Sequence, residues 1–118
     1  MSKFRVMVVK KSGKPVGVRA AALNRKIMSI ALTDENPSNW NEAVKKGIPS
    51  LAEWLAILEN KEAVDAALIR AGGTPLEGWY WSSSEYTSGT AWGVDASNGH
   101  VDWYGKGYGL NYVRCVLI

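Results

Sequence analysis

The chain has 118 residues, about one domain's worth, and with 47% apolar and 21% charged residues it is too apolar to be disordered. Its formal charge of +3 conceals an asymmetry: residues 1–26 carry eight Lys or Arg and no Asp or Glu, while the remainder is net −5. The single cysteine, Cys115, excludes an intrachain disulfide and a cysteine-rich metal site, and its place in the apolar run from Val113 to Ile118 fits a small buried hydrophobe.

In chain order, Phe4 to Val9 (FRVMVV) predicts a strand, and KKSGKP after it has the Gly and Pro of a turn. Val16 to Leu23 can return as a second strand, and Arg25 to Leu32 could supply another. Basic segments mark nucleic-acid or membrane contact in some proteins. This one alternates with Val and Met and has no Trp or Tyr for base stacking. The plainer expectation is a strand pair whose solvated Lys and Arg protect its edges, and nucleic acid is not an expected partner. MSKFRVMVVKKSGK does not read as a leader, because Lys10 and Lys11 break its short apolar run, and none is expected from it. No stretch approaches the ~20 apolar residues that span a bilayer. The expectation is therefore no membrane insertion: a protein cytoplasmic as synthesised, reaching a virion or cell surface only by assembly.

Three helices follow. Asn39 with Glu42 has capping-box spacing, Trp40, Ala43 and Val44 give a short apolar face, and Gly47 ends it. Ser50 with Glu53 repeats the box, ahead of Leu51, Trp54, Leu55 and Leu58 at i, i+3, i+4 and i+7. Asn60 can cap a third helix with Ala63, Val64, Ala67, Leu68 and Ala71 on one face, stopped by Gly72-Gly73 and Pro75. Beyond Pro75 the helical period disappears. Short alternating runs, Gly78 to Ser83, Thr90 to Ala96, His100 to Tyr104 and Tyr112 to Leu117, are separated by Gly, Asn and Ser. Asn98-Gly99 predicts a two-residue hairpin turn with φ > 0 at both positions. Trp92, Val94 and Ala96 should then share one sheet face, with Gly93, Asp95 and Ser97 on the other. Gly105 to Asn111 (GKGYGLN) reads as a loop. The order predicts one α+β domain: basic strands to residue 32, helices over 33–75, and a small aromatic sheet over 76–118.

The aromatic residues are skewed, six Trp and five Tyr against one Phe, and eight of those eleven Trp and Tyr lie between Trp79 and Tyr108. Such side chains join an apolar body to a polar tip and suit a surface that is both sticky and wet. Trp79 and Trp81 share a face and are expected in the core. Ser82, Ser83 and Ser84 should satisfy backbone groups, and Arg114 can pair with Glu85 or another acidic residue beneath the binding face.

The strings GIPSLAEWLAIL, GWYWSSSEY and AWGVDASNGHVDWYGKGYGLNYVRCVLI resemble the Fibrobacter-type major paralogous domain, within the C-type-lectin-like fold shared with formylglycine-generating-enzyme type domains. That family carries a W-x-LPT-x-E helix start, a YWSSTEY strand, an aromatic-V-x-x-x-x-G hairpin and a closing YVRCVR. The matching positions are Ile48-Pro49-Ser50 with Glu53, Tyr80 to Tyr86, Trp92 to Gly99, and Tyr112 to Val116; Ser50 stands for Thr and Leu117 for the final Arg. The similarity runs from about Thr33 to the last residue. It extends to variable proteins of diversity-generating retroelements, which display a hypervariable surface on this fold by randomising template adenines. The resemblance implies such variation at Gly93, Asp95, Ser97, His100, Asp102, Tyr104, Gly105, Gly107, Tyr108, Gly109, Leu110 and Asn111, whose residue types are reachable. Trp92, Trp103 and Lys106 are not.

Residues for chemistry are sparse. His100, the only histidine, has no Cys nearby and no Ser–Asp arrangement. Asp95 and Asp102 could approach across the hairpin, but on an exposed face nothing would raise a pKa. Gly105-x-Gly107-x-Gly109 does not lie between a strand and a helix, as a phosphate loop would. The formylglycine-generating relatives use paired cysteines, and calcium-dependent lectins use Glu-Pro-Asn and Trp-Asn-Asp motifs, all absent here. The expectation is a non-enzymatic domain without cofactor or metal. It binds a protein or glycan ligand on a cell surface through Gly93 to Asn111, with Trp103, Tyr104 and Tyr108 as anchors and Asp95, His100, Asp102 and Asn111 as polar contacts. Alanine at Tyr104 and Tyr108 should then abolish binding without lowering the melting temperature. Two alternatives are a structural subunit of a phage tail or surface assembly, forming a homo-oligomer through its basic N-terminus, and a calcium-independent sugar lectin.

Overall fold

Ser12-Gly13 folds the basic N-terminal segment back on itself with φ of 53° and 78°, the pair of left-handed residues that matches strand twist in a two-residue hairpin. The computed structural model describes residues 4–117, and this turn joins β1 (Met7–Lys11) to β2 (Lys14–Leu23). Asn24-Arg25, at φ of 51° and 66°, makes a second turn into β3 (Lys26–Ala31). The third strand is therefore real, and the sheet order is β1-β2-β3. Val18 and Ile30 are buried beneath it, while Arg5, Lys10, Lys11, Lys14, Arg25 and Lys26 are exposed. None of these exposed residues forms an ion pair among the described residues.

Three helices follow: α1 (Trp40–Lys45), α2 (Leu51–Glu59) and α3 (Lys61–Arg70). The Asn39 side chain accepts from Glu42 N at 2.9 Å, and Ser50 with Glu53 forms the full reciprocal box. The buried line of α2 is rotated from the expected one. Trp54 and Ile57 are fully buried, and Leu55 is 41% exposed. The helix lies against both β2 and the second sheet, and Trp54, donating its indole N–H to the Trp81 carbonyl at 3.1 Å, fixes the rotation. Asn60 makes no side-chain cap for α3; its backbone N–H closes α2 on Ile57 O at 3.0 Å. Val64, Ala67 and Leu68 face the core as expected, and Ala63 is exposed.

The second sheet has the order β4 (Trp79–Thr87), β5 (Thr90–Asp95), β6 (Val101–Gly105). An irregularity between Trp81 and Glu85 lets β4 continue past Ser83. The Asn98-Gly99 turn departs from expectation, since only Gly99 has positive φ, at 79°. Asp95 causes this: its carboxylate accepts from Ser97 N at 2.9 Å, and its carbonyl accepts from Gly99 N at 2.7 Å, so a four-residue loop replaces the two-residue turn. Tyr112 to Leu117 is not a sheet strand. It crosses the molecule through isolated bridges to Tyr80, Glu35 and Ile30, joining the two sheets. Cys115 on this segment is half-buried rather than buried, and its thiol pKa is raised by that burial and by Glu35 nearby. The Ser82 hydroxyl donates to Trp92 O at 2.8 Å and the Ser84 hydroxyl accepts from Leu51 N at 2.9 Å, the backbone-satisfying roles expected of them.

Arg114 pairs with Asp34, not with Glu85, whose partner is Lys106. Fully buried, its guanidinium donates to Asp34 Oδ1 at 2.8 Å and to the carbonyls of Ala31, Leu32, Thr74 and Pro75. Tyr80 donates its hydroxyl to the same Asp34 oxygen at 2.8 Å. Burial first, then the Asp34 charge, holds the Tyr80 phenol well above the ordinary tyrosine range. The unfolded chain therefore ionises first, near pH 10. The stability this phenol contributes is complete below about pH 10 and is lost as pH rises through its folded value. Urea unfolding between pH 8 and 11 should show that decline, and Tyr80→Phe should flatten it; an unchanged slope in the variant would assign the decline to other groups. Among the described residues, no helix is long and apolar enough to cross a membrane.

Candidate ligand-binding face

Strand register decides which side chains meet. Trp79 pairs with Asp95, Trp81 with Gly93, Gly93 with Asp102, and Ala91 with Tyr104. Because alternate residues share a face, Trp79, Trp81, Gly93, Asp95, Asp102 and Tyr104 lie on one side of the sheet. Tyr80, Trp92, Val94, Val101 and Trp103 lie on the other, where Tyr80 and Val94 join the main core.

Trp81 is the floor of the first face. It is fully buried, donates its indole N–H to Ser38 O at 2.8 Å, and packs with Ala43, Ile48, Ala91 and Val113. Tyr104 stands edge-on to Trp79 and Trp81, with centroids 5.6 and 6.1 Å away, and stacks on Tyr108 at 5.0 Å with 16° between planes. Gly93 makes that pose possible. A Cβ there would lie 3.3 Å from Tyr104 Cε2 and 3.2 Å from the Tyr80 carbonyl, so the ring covers the glycine directly. Asp102 lies directly across the strands from Gly93, and Asp95 two residues along β5 from it, so the two carboxylates are diagonal neighbours. Each gives one oxygen to a backbone N–H, Asp95 to Ser97 at 2.9 Å and Asp102 to Trp103 at 2.8 Å, and neither forms an ion pair among the described residues. Burial, then the charges of Asp102, Tyr108 and Asp95, raise the Tyr104 phenol pKa.

The glycine loop is anchored rather than free at its start. Lys106 Nζ sits 4.4 Å over the Trp40 ring, bonds Glu85, and donates to Ser88 O at 2.8 Å. Its backbone is held as well, by Gly89 O and Trp40 N. Asn111 anchors the far end. Between them Gly107, Tyr108, Gly109 and Leu110 are exposed, Tyr108 at 41% and Leu110 at 72%.

The structure thus brings Asp95, Asp102, Tyr104 and Tyr108 together and keeps Gly105, Gly107 and Leu110 at the rim. It separates four other expected contacts. Trp103 points the opposite way, paired across the strands with Trp92 and stacked on Tyr86 at 5.8 Å. Gly93 is buried under Tyr104. Asn111 is also buried; its side-chain Nδ2 has no hydrogen-bond partner among the described residues, so it is no surface contact. The Ser97 hydroxyl is occupied by Gly78 N at 3.2 Å, a turn-stabilising role. His100 is exposed at the hairpin end. Trp79, expected in the core, is instead half-buried at the edge of this face, as Trp92 is on the other.

Polar tips distinguish scaffold from surface. Trp40, Trp54 and Trp81 donate their indole N–H to the carbonyls of Ser82, Trp81 and Ser38. Trp79, Trp92, Trp103, and the hydroxyls of Tyr104 and Tyr108, have no such partner among the described residues, and none of these five polar atoms is buried without one. No group of three His, Cys, Asp or Glu among the described residues is placed to hold a metal ion. Compared with known proteins, the chain matches no family model, and no curated protein matches its sequence.

Proposed function

We propose that the chain is a ligand-binding domain of C-type-lectin-like fold that contacts a protein or glycan partner through the face built on Trp79, Tyr104 and Tyr108. The observation that carries this reading is the split among aromatic polar tips. The indoles of Trp40, Trp54 and Trp81 are satisfied internally, whereas the rings on this face present unspent donors and acceptors beside apolar area, as the anchors of an interface do. Trp92 and Trp103 on the opposite face share that property, but this face adds the carboxylates of Asp95 and Asp102 and the exposed loop. The rings are also held in place before any ligand arrives, by Gly93 and Trp81 beneath Tyr104 and by the tethers at Lys106 and Asn111. Preorganisation of this kind lowers the entropic cost of binding. Variation at the exposed positions Gly107, Tyr108, Gly109 and Leu110 would leave these supports untouched, whereas variation at Gly93 or Asn111, which the resemblance also implies, would disturb them.

Tyr108 provides the test. Tyr104 is a poorer probe than the sequence implied, because it packs on Trp79, Trp81 and Gly93, so its truncation would lower stability as well as binding. Ligands selected from a glycan array, with and without calcium, and from a displayed protein library should bind Tyr108→Ala about 30-fold more weakly, the loss of a ~2 kcal/mol anchor. Its urea midpoint should stay that of the parent. Undiminished affinity for every selected ligand would overturn the assignment.

A further inference from the structure

Asp95 and Asp102 are two carboxylates on one sheet face, and each keeps one oxygen without a hydrogen-bond partner among the described residues. Close to both, the Tyr104 ring lies over Gly93, stacked on Tyr108 and edge-on to Trp79. Carboxylates and ring faces both present negative potential, and together they attract an ammonium or guanidinium group. The molecule uses this chemistry once already: Lys106 rests its ammonium over Trp40 while bonding Glu85 and the Ser88 carbonyl. On the candidate face the carboxylates and rings are present, and no lysine or arginine of the described chain supplies the cation. Beside them, β6 is the edge strand of its sheet, so an extended chain could add main-chain hydrogen bonds that a free amine or a sugar could not use. The Trp103 N–H is not among them, since it already donates to Asp102.

We propose that this face takes the cationic side chains of a lysine- or arginine-bearing protein segment laid along β6, with the cation received between Asp95, Asp102 and the Tyr104–Tyr108 stack. The inference rests on the binding face described above and names its ligand chemistry. Attraction to two uncompensated charges makes affinity salt-dependent and disfavours an acidic partner.

Calorimetric titration of the full chain at low salt with the blocked peptide Lys-Thr-Lys-Thr-Lys tests it, against matched peptides carrying Gln or Glu for Lys. The lysine peptide should bind and the glutamate peptide should not. Asp95→Asn/Asp102→Asn, which keeps the oxygens that accept backbone N–H groups, should weaken the lysine peptide by about tenfold or more. Tyr108→Ala should weaken it too, locating the peptide on this face. Equal binding of the lysine and glutamine peptides, lysine-peptide affinity unchanged in the double Asn variant, or no lysine-peptide binding at all would overturn the cationic assignment. If a neutral glycan or the glutamine peptide then bound in a Tyr108-dependent way, the binding face itself would still stand. If no ligand depended on Tyr108, the face would fall as well.

Discussion

Arg114→Ala is expected to cost about 3–5 kcal/mol, the range for breaking a buried ion pair by removing one partner. Set against the 5–15 kcal/mol that holds a typical domain together, that loss would leave much of the chain unfolded. The magnitude follows from what the guanidinium serves. It reaches Asp34, two carbonyls at the end of the first sheet (Ala31 and Leu32), and two in the connection before β4 (Thr74 and Pro75). Alanine would leave these acceptors without their donor and Asp34 without its countercharge. Arg114→Lys should recover little, because an ammonium cannot spread its donors in a planar fork to both segments, 31–34 and 74–75, at once. Urea unfolding followed by tryptophan fluorescence measures both variants; a loss under 1 kcal/mol in the alanine variant would show that solvent replaces the guanidinium freely.

Trp81→Ala is expected to cost a similar amount, about 3–5 kcal/mol, the range for deleting a buried aromatic ring. Its consequence differs in kind. Arg114 joins segments, whereas Trp81 fills the space beneath Tyr104, so its loss removes the support of the proposed binding face. Trp81→Phe separates the two effects. It restores most of the packing volume but leaves the Ser38 carbonyl without its indole donor, and should cost markedly less than alanine. Comparing the near-ultraviolet circular dichroism of the two variants reads the aromatic packing directly. The alanine variant, if it folds, should lose the tyrosine contribution together with that of tryptophan, and retention of the full tyrosine signal would show that Tyr104 does not depend on Trp81.

Features governed by neighbours in sequence were legible in advance. The capping pairs Asn39/Glu42 and Ser50/Glu53, the Gly47 stop and the glycine–proline end of α3 are local, and each appears where its residues place it. The same holds for the three-part order of basic strands, helices and aromatic sheet. Two local features escaped, the Asn98-Gly99 turn that Asp95 reshapes and the Asn60 cap; most of the rest was set by contacts across long separations. Leu55 has the correct helical spacing to be buried, but Trp54, bonded to a carbonyl 27 positions away, rotates the helix. Trp103 and Tyr104 share a strand as candidate anchors, but strand alternation and the direct pairing of Trp103 with Trp92 set them on opposite faces. Asp34, the partner of Arg114, lies 80 positions away and no local pattern marks it. Asn111 looked like an ordinary loop polar residue, and only the seating of the closing segment buries it.

That closing segment also constrains how the domain can form. Residues 112–117 hydrogen-bond to Ser29, Ala31, Glu35 and Gly47, while the strands they unite come from hairpins whose turns span only a few residues. Each hairpin can zip early, at the low loop-closure cost of a short turn, but the two sheets have no shared backbone until the last-made stretch of the described chain returns across almost its whole length. Contacts of such separation slow folding. On a ribosome, the helices over 51–70 can cover Val18 and Ile30 early, but the edge of β3 at Ser29 to Ala31 would stay unpaired until residues 115–117 emerged. Exposed Lys26 at the start of that edge, with Lys10 and Lys11 on β1 at the opposite edge, would then help keep nascent chains apart during the interval before closure.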